Sequence, residues 1–230
     1  PTPITDVYAL LDATSRAFHY ALSEMVNNAL DHSGGEFVDV RVRIEPHVVV
    51  FDVVDDGIGA FERLRAARGL ASHVEGAADV TKGKVTTMAE RHSGEGIFFT
   101  SKVAHRFELR ANGHVLVVDA PRDDVAILAD ATVVRGTHAH VEIARPPAKK
   151  LIDVFAAYTE DHDFVRTRTI VRLFALGRDF VSRSEARRLL AGLDRFREVV
   201  VDFRDVLGIG QGFADEIFRV WANVHPEVTL

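Results

Sequence analysis

The chain has 230 residues, a net charge of −6 and no cysteine. This length allows one large domain or two small ones, and the negative charge gives no electrostatic support for a dominant nucleic-acid-binding role. The absence of cysteine excludes a disulfide framework and a thiolate metal site or nucleophile, and it fits a reducing cytoplasm.

We find no signal peptide and no apolar run long enough to cross a membrane, so we expect a cytoplasmic protein without a membrane partner. The sequence begins at Pro1 without Met and ends at Leu230 within a predicted strand. We therefore expect that it is part of a longer protein.

Residues 6–30 are predicted to be helical, as two helices or one long one, and the sequence His32-Ser33-Gly34-Gly35 ends this region with a left-handed glycine cap. One face of this helix is apolar and carries Phe18, Leu22, Met25, Val26 and Ala29. The opposite face is polar and carries Glu24, Asn27, Asn28, Asp31 and His32. Asn, Asp and His are poor helix formers, so this stripe indicates a function, such as holding a hard cation through oxygen ligands and positioning a water. The alternative is an amphipathic helix whose outer face is rich in Asn.

Two strands follow. Residues 38–44 alternate between apolar and charged side chains, which predicts a half-exposed strand, and residues 48–54 are almost continuously apolar, which predicts burial on both faces. The second strand runs into Asp55-Asp56-Gly57-Ile58-Gly59. A carboxylate at a strand end can accept a hydrogen bond from an exocyclic amine, and glycines let backbone approach a ligand. The alternative is an ordinary Asp-Gly turn.

Residues 61–92 show weak patterning, which is typical of a functional lid or of disorder. Gly94 and Gly96 then open an apolar helix, whose free N–H groups can bind an anion. The alternative is a plain glycine-rich helix entry, because a lone G-x-G is weak evidence.

The segments 107–111 and 114–119 flank Asn112-Gly113, which predicts a β-hairpin, and residues 133–143 form a later alternating strand containing Gly136-Thr137. Strands joined by hairpins, with helices inserted, predict an α+β sandwich with a mixed or antiparallel sheet. His138 and His140 lie two apart on the late strand. A metal site needs further ligands, and spacing places none, so we expect these two residues on one exposed strand face.

The order of these motifs closely resembles the GHKL ATP-binding fold of histidine kinases, gyrase-type ATPases, HSP90 and the anti-sigma-factor serine kinases. The resemblance covers roughly residues 6–143 and implies that the chain binds ATP and Mg²⁺. It implies that Glu24 orients or activates the attacking group and that Asn28 is the Mg²⁺ ligand. It also implies that Asp55 binds the adenine amino group.

The resemblance assigns the remaining candidate residues to the nucleotide pocket. Gly57 and Gly59 shape the pocket, Thr137 lies near the adenine, and Gly94 and Gly96 form the lid hinge over the phosphates. The other candidate nucleotide-binding residues are Asp31, Lys84, Ser93 and Glu95. The sequence departs from the family pattern at Asp56, where many members have Asn.

The composition changes after residue 143. Residues 144–150 are a short linker, and the predicted elements beyond it are helices and strands in alternation, which is typical of a small β/α unit. The first three are a helix over 151–158, a strand over 170–174 and a helix to Leu193 that the Ser182-x-x-Glu185 capping box opens. A strand over 198–203 and a turn over 208–212 follow. The last is a helix over 213–220 with Phe213, Ile217 and Val220 facing inward.

This second half resembles a STAS-like domain of unknown function that occurs in bacteria joined to a GHKL domain. The resemblance rests on VSRSEARRLL and VVVDFRDVLGIGQGFADEIFRVW. STAS domains that pair with anti-sigma-factor kinases carry a phosphorylatable Ser at the turn where this chain has Gly210-Gln211-Gly212, so we expect no phosphorylation there. These glycines could form a phosphate nest, but an ordinary strand-to-helix turn is favoured because no Lys or Ser/Thr follows.

We therefore expect an α+β two-layer sandwich with the GHKL ATPase fold over residues 1–145, then a linker and a smaller, C-terminally truncated α/β STAS-like domain over 146–230. The expected function is that of a bacterial signalling protein that binds Mg·ATP, hydrolyses it slowly and couples nucleotide state to the STAS-like domain. We expect a regulatory protein partner and allow for a homodimer. The alternatives are a protein kinase of the anti-sigma-factor or histidine-kinase type and an interaction module that has lost nucleotide binding.

Overall fold

The computed structural model describes residues 4–82, 96–130, 132, 135–157, 166–173, 179–194, 196–204 and 206–230. The chain forms two compact units, Pro1–Phe155 and Ala156–Leu230. Within the described residues, none of the helices combines the length and the apolar character that a membrane span requires.

The first unit begins with one long helix, α1 (Ile4–His32). A buried residue recurs at every fourth position, as expected for one face of an amphipathic helix. These buried residues are Ala17, Ala21, Met25 and Ala29. Phe18 extends this contact by packing edge-to-face on Phe51, with ring centroids 5.7 Å apart. The helix ends as predicted, with Gly34 in the left-handed region at φ 66°.

The helix packs against a six-stranded sheet in which every neighbouring pair is antiparallel and the strand order is β1-β2-β6-β3-β4-β5. The strands are β1 (Val38–Ile44), β2 (Val48–Asp55), β3 (Arg106–Ala111), β4 (His114–Asp119), β5 (Asp124–Ala129) and β6 (Thr137–Ala144). Helices on one face of an antiparallel sheet form the two-layer α+β sandwich that the sequence predicted. The edge strand β5 was not predicted, because it is short and its side chains are half-buried or exposed.

The β3–β4 hairpin confirms the prediction from Asn112-Gly113. Both residues have positive φ, at 51° and 78°. This is the type I′ geometry that joins two antiparallel strands through two residues.

Residues 61–92, predicted to be a lid or disordered, are helical over most of their first part. Two nine-residue helices lie there, α2 (Ala60–Arg68) and α3 (His73–Thr81). Gly69 ends α2 in the left-handed conformation at φ 63°, and the Ser72 hydroxyl caps α3 by accepting a hydrogen bond from the Glu75 amide. Each helix is too short for apolar residues to repeat often enough to reveal a helical period. Residues 83–92 lie outside the described residues.

The remaining boundaries of the first unit shift slightly. Helix α4 (Gly96–Val103) begins at the predicted glycine, and β6 begins at Thr137, because Gly136 at φ 78° interrupts the extended conformation. Helix α5 (Leu151–Ala156) is shorter than predicted. Its Phe155 ring contacts Tyr20 and Phe99, at centroid distances of 5.1 and 4.6 Å, so α5 packs on the first unit.

The second unit contains two parallel strand pairs, β7 (Arg166–Arg172) with β9 (Phe196–Asp202) and β8 (Asp179–Phe180) with β10 (Gly208–Ile209). The strand predicted over 170–174 is thus β7, and the predicted turn at Gly208 includes a short strand. Parallel strands joined through helices are typical of an α/β unit. The strands and helices share one apolar core, which includes Leu173, Leu190, Phe196, Val199, Phe213 and Ile217.

The helices of the second unit differ from the prediction at their ends. Helix α6 (Arg183–Leu190) has the predicted capping box, in which the Ser182 hydroxyl and the Glu185 carboxylate accept hydrogen bonds from each other's backbone amides. It ends at Leu190 because Ala191 leaves the helical region. Helix α7 (Gln211–Asp215) continues through a π-helical turn (Glu216–Trp221) into Ala222–Val224.

Candidate functional site

The end of β2 and the beginning of β6 are held together by one buried carboxylate. Asp55 is 5% exposed, and its Oδ1 accepts hydrogen bonds from the backbone amides of Gly57, at 2.9 Å, and Thr137, at 3.1 Å. Burial raises the pKa of the Asp55 carboxyl above its ordinary value, although the two amides act against this. The Thr137 hydroxyl in turn accepts a hydrogen bond from the Ala60 amide at 3.0 Å.

Two glycines allow the backbone around Asp55 to pack closely. A Cβ on Gly57 would lie 2.5 Å from the Ser33 carbonyl carbon, and one on Gly136 would lie 2.6 Å from the Asp55 carbonyl carbon. Gly136 also has φ 78°, which disfavours other residues. The Ser33 carbonyl accepts a hydrogen bond from the Ile58 amide at 3.0 Å, so the end of α1 is joined to the loop after β2.

A second connection runs from this loop to the β3–β4 hairpin. The Asn112 side chain donates from Nδ2 to the Ile58 carbonyl at 2.9 Å, and its Oδ1 accepts a hydrogen bond from the Glu62 amide at 3.0 Å. Between them lies Gly59, at φ 88°. Asn112 therefore fixes the loop as well as forming a turn, and Ser33 has a similar role. Sequence reasoning missed both roles, because each contact joins residues that are distant along the chain.

Glu24 and Gly96 lie side by side where α1 meets α4. A Cβ on Gly96 would lie 2.7 Å from Glu24 Cδ and closer still to Oε2, so only glycine fits there beside the present Glu24 conformation. One turn further along α1, Asn28 Nδ2 donates to the Glu24 carbonyl at 2.8 Å. This hydrogen bond turns the amide nitrogen toward its own helix and leaves the carboxamide oxygen on the other side of the amide.

The other candidate residues fall into two groups. Asp31 is exposed near the end of α1. Lys84, Ser93, Gly94 and Glu95 lie outside the described residues.

Asp56, where the sequence departs from the GHKL pattern, has a local structural role. Its Oδ1 accepts hydrogen bonds from the Phe37 amide at 3.2 Å and the Glu36 amide at 2.8 Å, just before β1. These N–H groups lower the pKa of Asp56. The side chain thus positions the start of β1.

Two family models match the sequence. The model of the histidine kinase-, DNA gyrase B-, and HSP90-like ATPase family matches residues 13–148, and that of a STAS-like domain of unknown function matches residues 185–230. The first match spans more than half of the chain, and the chain belongs to the histidine kinase-, DNA gyrase B-, and HSP90-like ATPase family. This membership implies an ATP-binding domain. No curated protein matches the sequence.

Proposed function

We propose that the first unit binds Mg·ATP beside α1 and the end of β2, hydrolyses it slowly, and couples its nucleotide state to the STAS-like domain. The observation that carries this proposal is the buried carboxylate of Asp55, whose Oδ1 already accepts the Gly57 and Thr137 amides. Such a fixed carboxylate offers its second oxygen to one further donor, as an adenine amino group requires.

Asn28, in the last turns of α1, fits a magnesium–phosphate group. The carboxamide oxygen of Asn28 is a hard donor of the kind that Mg²⁺ accepts together with substrate phosphates. When bound, Mg²⁺ supplies positive charge that offsets the negative charge of the phosphates. Asn28 would hold the ion, and the amides at the start of α4 would face the phosphates.

Glu24 is placed to act on the attacking group. Its carboxylate lies one helical turn before Asn28 and against the first residue of α4. In this position it would orient a water and accept its proton. Gly96 acts as a positioning residue, because the absence of a side chain there lets the carboxylate keep its place.

The test of nucleotide binding is thermal unfolding with and without Mg·ATP. ATP should raise the melting temperature more than GTP does, because guanine has a carbonyl oxygen at C6 in place of the adenine amino group whose hydrogen bond Asp55 would accept. Asp55→Asn should weaken ATP binding by about 1–3 kcal/mol, the cost of a mismatched buried polar group. Asp56→Asn is the matched control and should bind ATP normally. Equal stabilisation by ATP and GTP would contradict the adenine role of Asp55.

A protein kinase acting on a separate regulatory protein is the second candidate. The turn Gly210-Gln211-Gly212 offers no hydroxyl to accept phosphate, so we expect no transfer to that turn. Incubation with γ-labelled ATP and candidate partners separates the two functions. Label on a partner protein supports the kinase, whereas free phosphate alone supports the ATPase.

A further inference from the structure

A second cluster of polar side chains lies on the other face of the sheet from α1. Along β2, Phe51 contacts Phe18 of α1, and alternation along a strand therefore directs Asp52 to the opposite face. On β6 the same alternation buries Ala139 and turns His138 and His140 outward. Asp52 is the register partner of His140 across the β2–β6 pair.

These three side chains converge on one point. Asp52 Oδ1 lies 2.7 Å from His138 Nε2 and 2.8 Å from His140 Nδ1. One ligand atom from each residue lies within 4.8 Å of the others. The spacing of the two histidines along β6 placed no third ligand, but the neighbouring strand supplies one.

A second carboxylate orients one of the imidazoles. His140 uses Nδ1 toward Asp52, while its Nε2 lies 3.3 Å from Glu142 Oε1. Histidines that bind metals characteristically donate their other ring N–H to a carboxylate or carbonyl, which fixes the tautomer and the ring orientation. The Glu142–His140–Asp52 arrangement has this form.

We propose that Asp52, His138 and His140 bind a divalent transition-metal ion of the zinc type, with Glu142 orienting His140. Two imidazole nitrogens and one carboxylate oxygen are a donor set that suits Zn²⁺ better than Mg²⁺. Tetrahedral bonds of about 2.0–2.2 Å place ligand atoms somewhat farther apart than the present hydrogen bonds, so small side-chain rotations admit the ion. The open fourth position would hold a water.

The charges around the cluster suit a cation. Arg41, the register partner of Asp52 on β1, pairs with Asp39 at 2.6 Å.

The arginines on the other side of the cluster are also paired. Arg106 and Arg110, on β3, both pair with Glu108. Arg41, Arg106 and Arg110 are thus each paired with a carboxylate other than Asp52. The side chains of Asp52, His138 and His140 are 20, 28 and 19% exposed, which leaves an entry path from solvent.

The metal would join β2 to β6, the two strands whose ends carry Asp55 and Thr137. This site is separate from the proposed Mg·ATP site, because Asp52 and Asp55 point to opposite faces of β2. Its test therefore needs no nucleotide.

The experiment titrates Zn²⁺ into chelator-treated, tag-free protein by calorimetry, without Mg²⁺ or ATP, and repeats it with Co²⁺ by visible absorption. We expect one ion per chain. Glu142→Gln should weaken the affinity by about 10–100-fold, the usual cost of losing an outer-shell partner, and His140→Ala, which removes a direct ligand, should weaken it at least as much. His73→Ala, which removes another His–carboxylate pair, with Glu62 at 2.7 Å, should leave the affinity unchanged.

Two results would overturn the proposal. One is the lack of saturable uptake by the unmodified protein, and the other is uptake that persists undiminished in both His138→Ala and His140→Ala. Circular dichroism checks that the variants fold. If the alanine variants do not fold, Asp52→Asn, which keeps the shape of the side chain, provides the same test.

Discussion

Gly96→Ala should separate the catalytic role of Glu24 from the stability of the fold. The added Cβ would lie 2.7 Å from Glu24 Cδ, whereas ordinary contacts begin at 3.4 Å, and it would come closer still to Oε2. The carboxyl group must then move by about 1 Å, and a displacement of that size can lower a rate about 100-fold.

The same substitution should cost little stability, because the carboxyl group is the flexible end of its side chain. A cost at the low end of overpacking, about 1 kcal/mol, lowers the melting temperature of a unit this size by roughly 2–4 °C. Gly57→Ala is the contrasting control. Its Cβ would meet the Ser33 backbone, which cannot turn away, so we expect a loss near 3 kcal/mol.

The assay measures phosphate release from Mg·ATP together with thermal unfolding of each variant. A folded Gly96→Ala protein that turns over ATP at the unmodified rate would refute the reasoning. It would show either that Glu24 does not act on the attacking group or that its carboxylate is not held where the structure places it.

Three further predictions address the nucleotide pocket and its coupling. Glu24→Ala should leave ATP bound and slow phosphate release by roughly 10²–10⁴-fold, whereas Asn28→Ala should weaken Mg²⁺-dependent binding in a melting assay. Burial raises the pKa of Asp55, so this carboxyl takes up a proton at a higher pH than an ordinary aspartate does. ATP affinity should therefore fall as the pH decreases through that pKa. Asp55→Asn should abolish this pH dependence. The free energy of unfolding should change with pH in the opposite direction. A pKa that is higher in the folded state than in the unfolded state stabilises the fold at low pH, and this stabilisation is lost as the pH rises through the folded-state pKa. After incubation with γ-labelled ATP, the 208–212 peptide should carry no label, and label there would contradict the absence of an acceptor.

The features that the sequence predicted correctly depend on residues close together along the chain. The Asn112-Gly113 turn, the Gly34 cap and the Ser182–Glu185 capping box each arise from local backbone preference, and all three are present. Short helices were harder to predict, since α2 and α3 have too few turns for a period to show.

The site depends on contacts that no local pattern reveals. Asn112 reaches the loop at Ile58, and Asp52 meets His138 and His140, only because strand order brings them together. That order places β6 between β2 and β3, although β6 is the last strand of the sheet in the sequence. The sequence therefore identifies Asp55 and Thr137 as candidate nucleotide-binding residues, but their spacing along the chain does not predict the contact between them.

The hydrogen bonds of Asp55 also bear on the entropy of nucleotide binding. Its Oδ1 already accepts the Gly57 and Thr137 amides, and Asn112 already fixes Ile58. The conformational entropy of this loop is thus lost during folding and need not be lost again when a ligand arrives. A pocket floor preorganised in this way should let an adenine ring associate without waiting for the loop to rearrange.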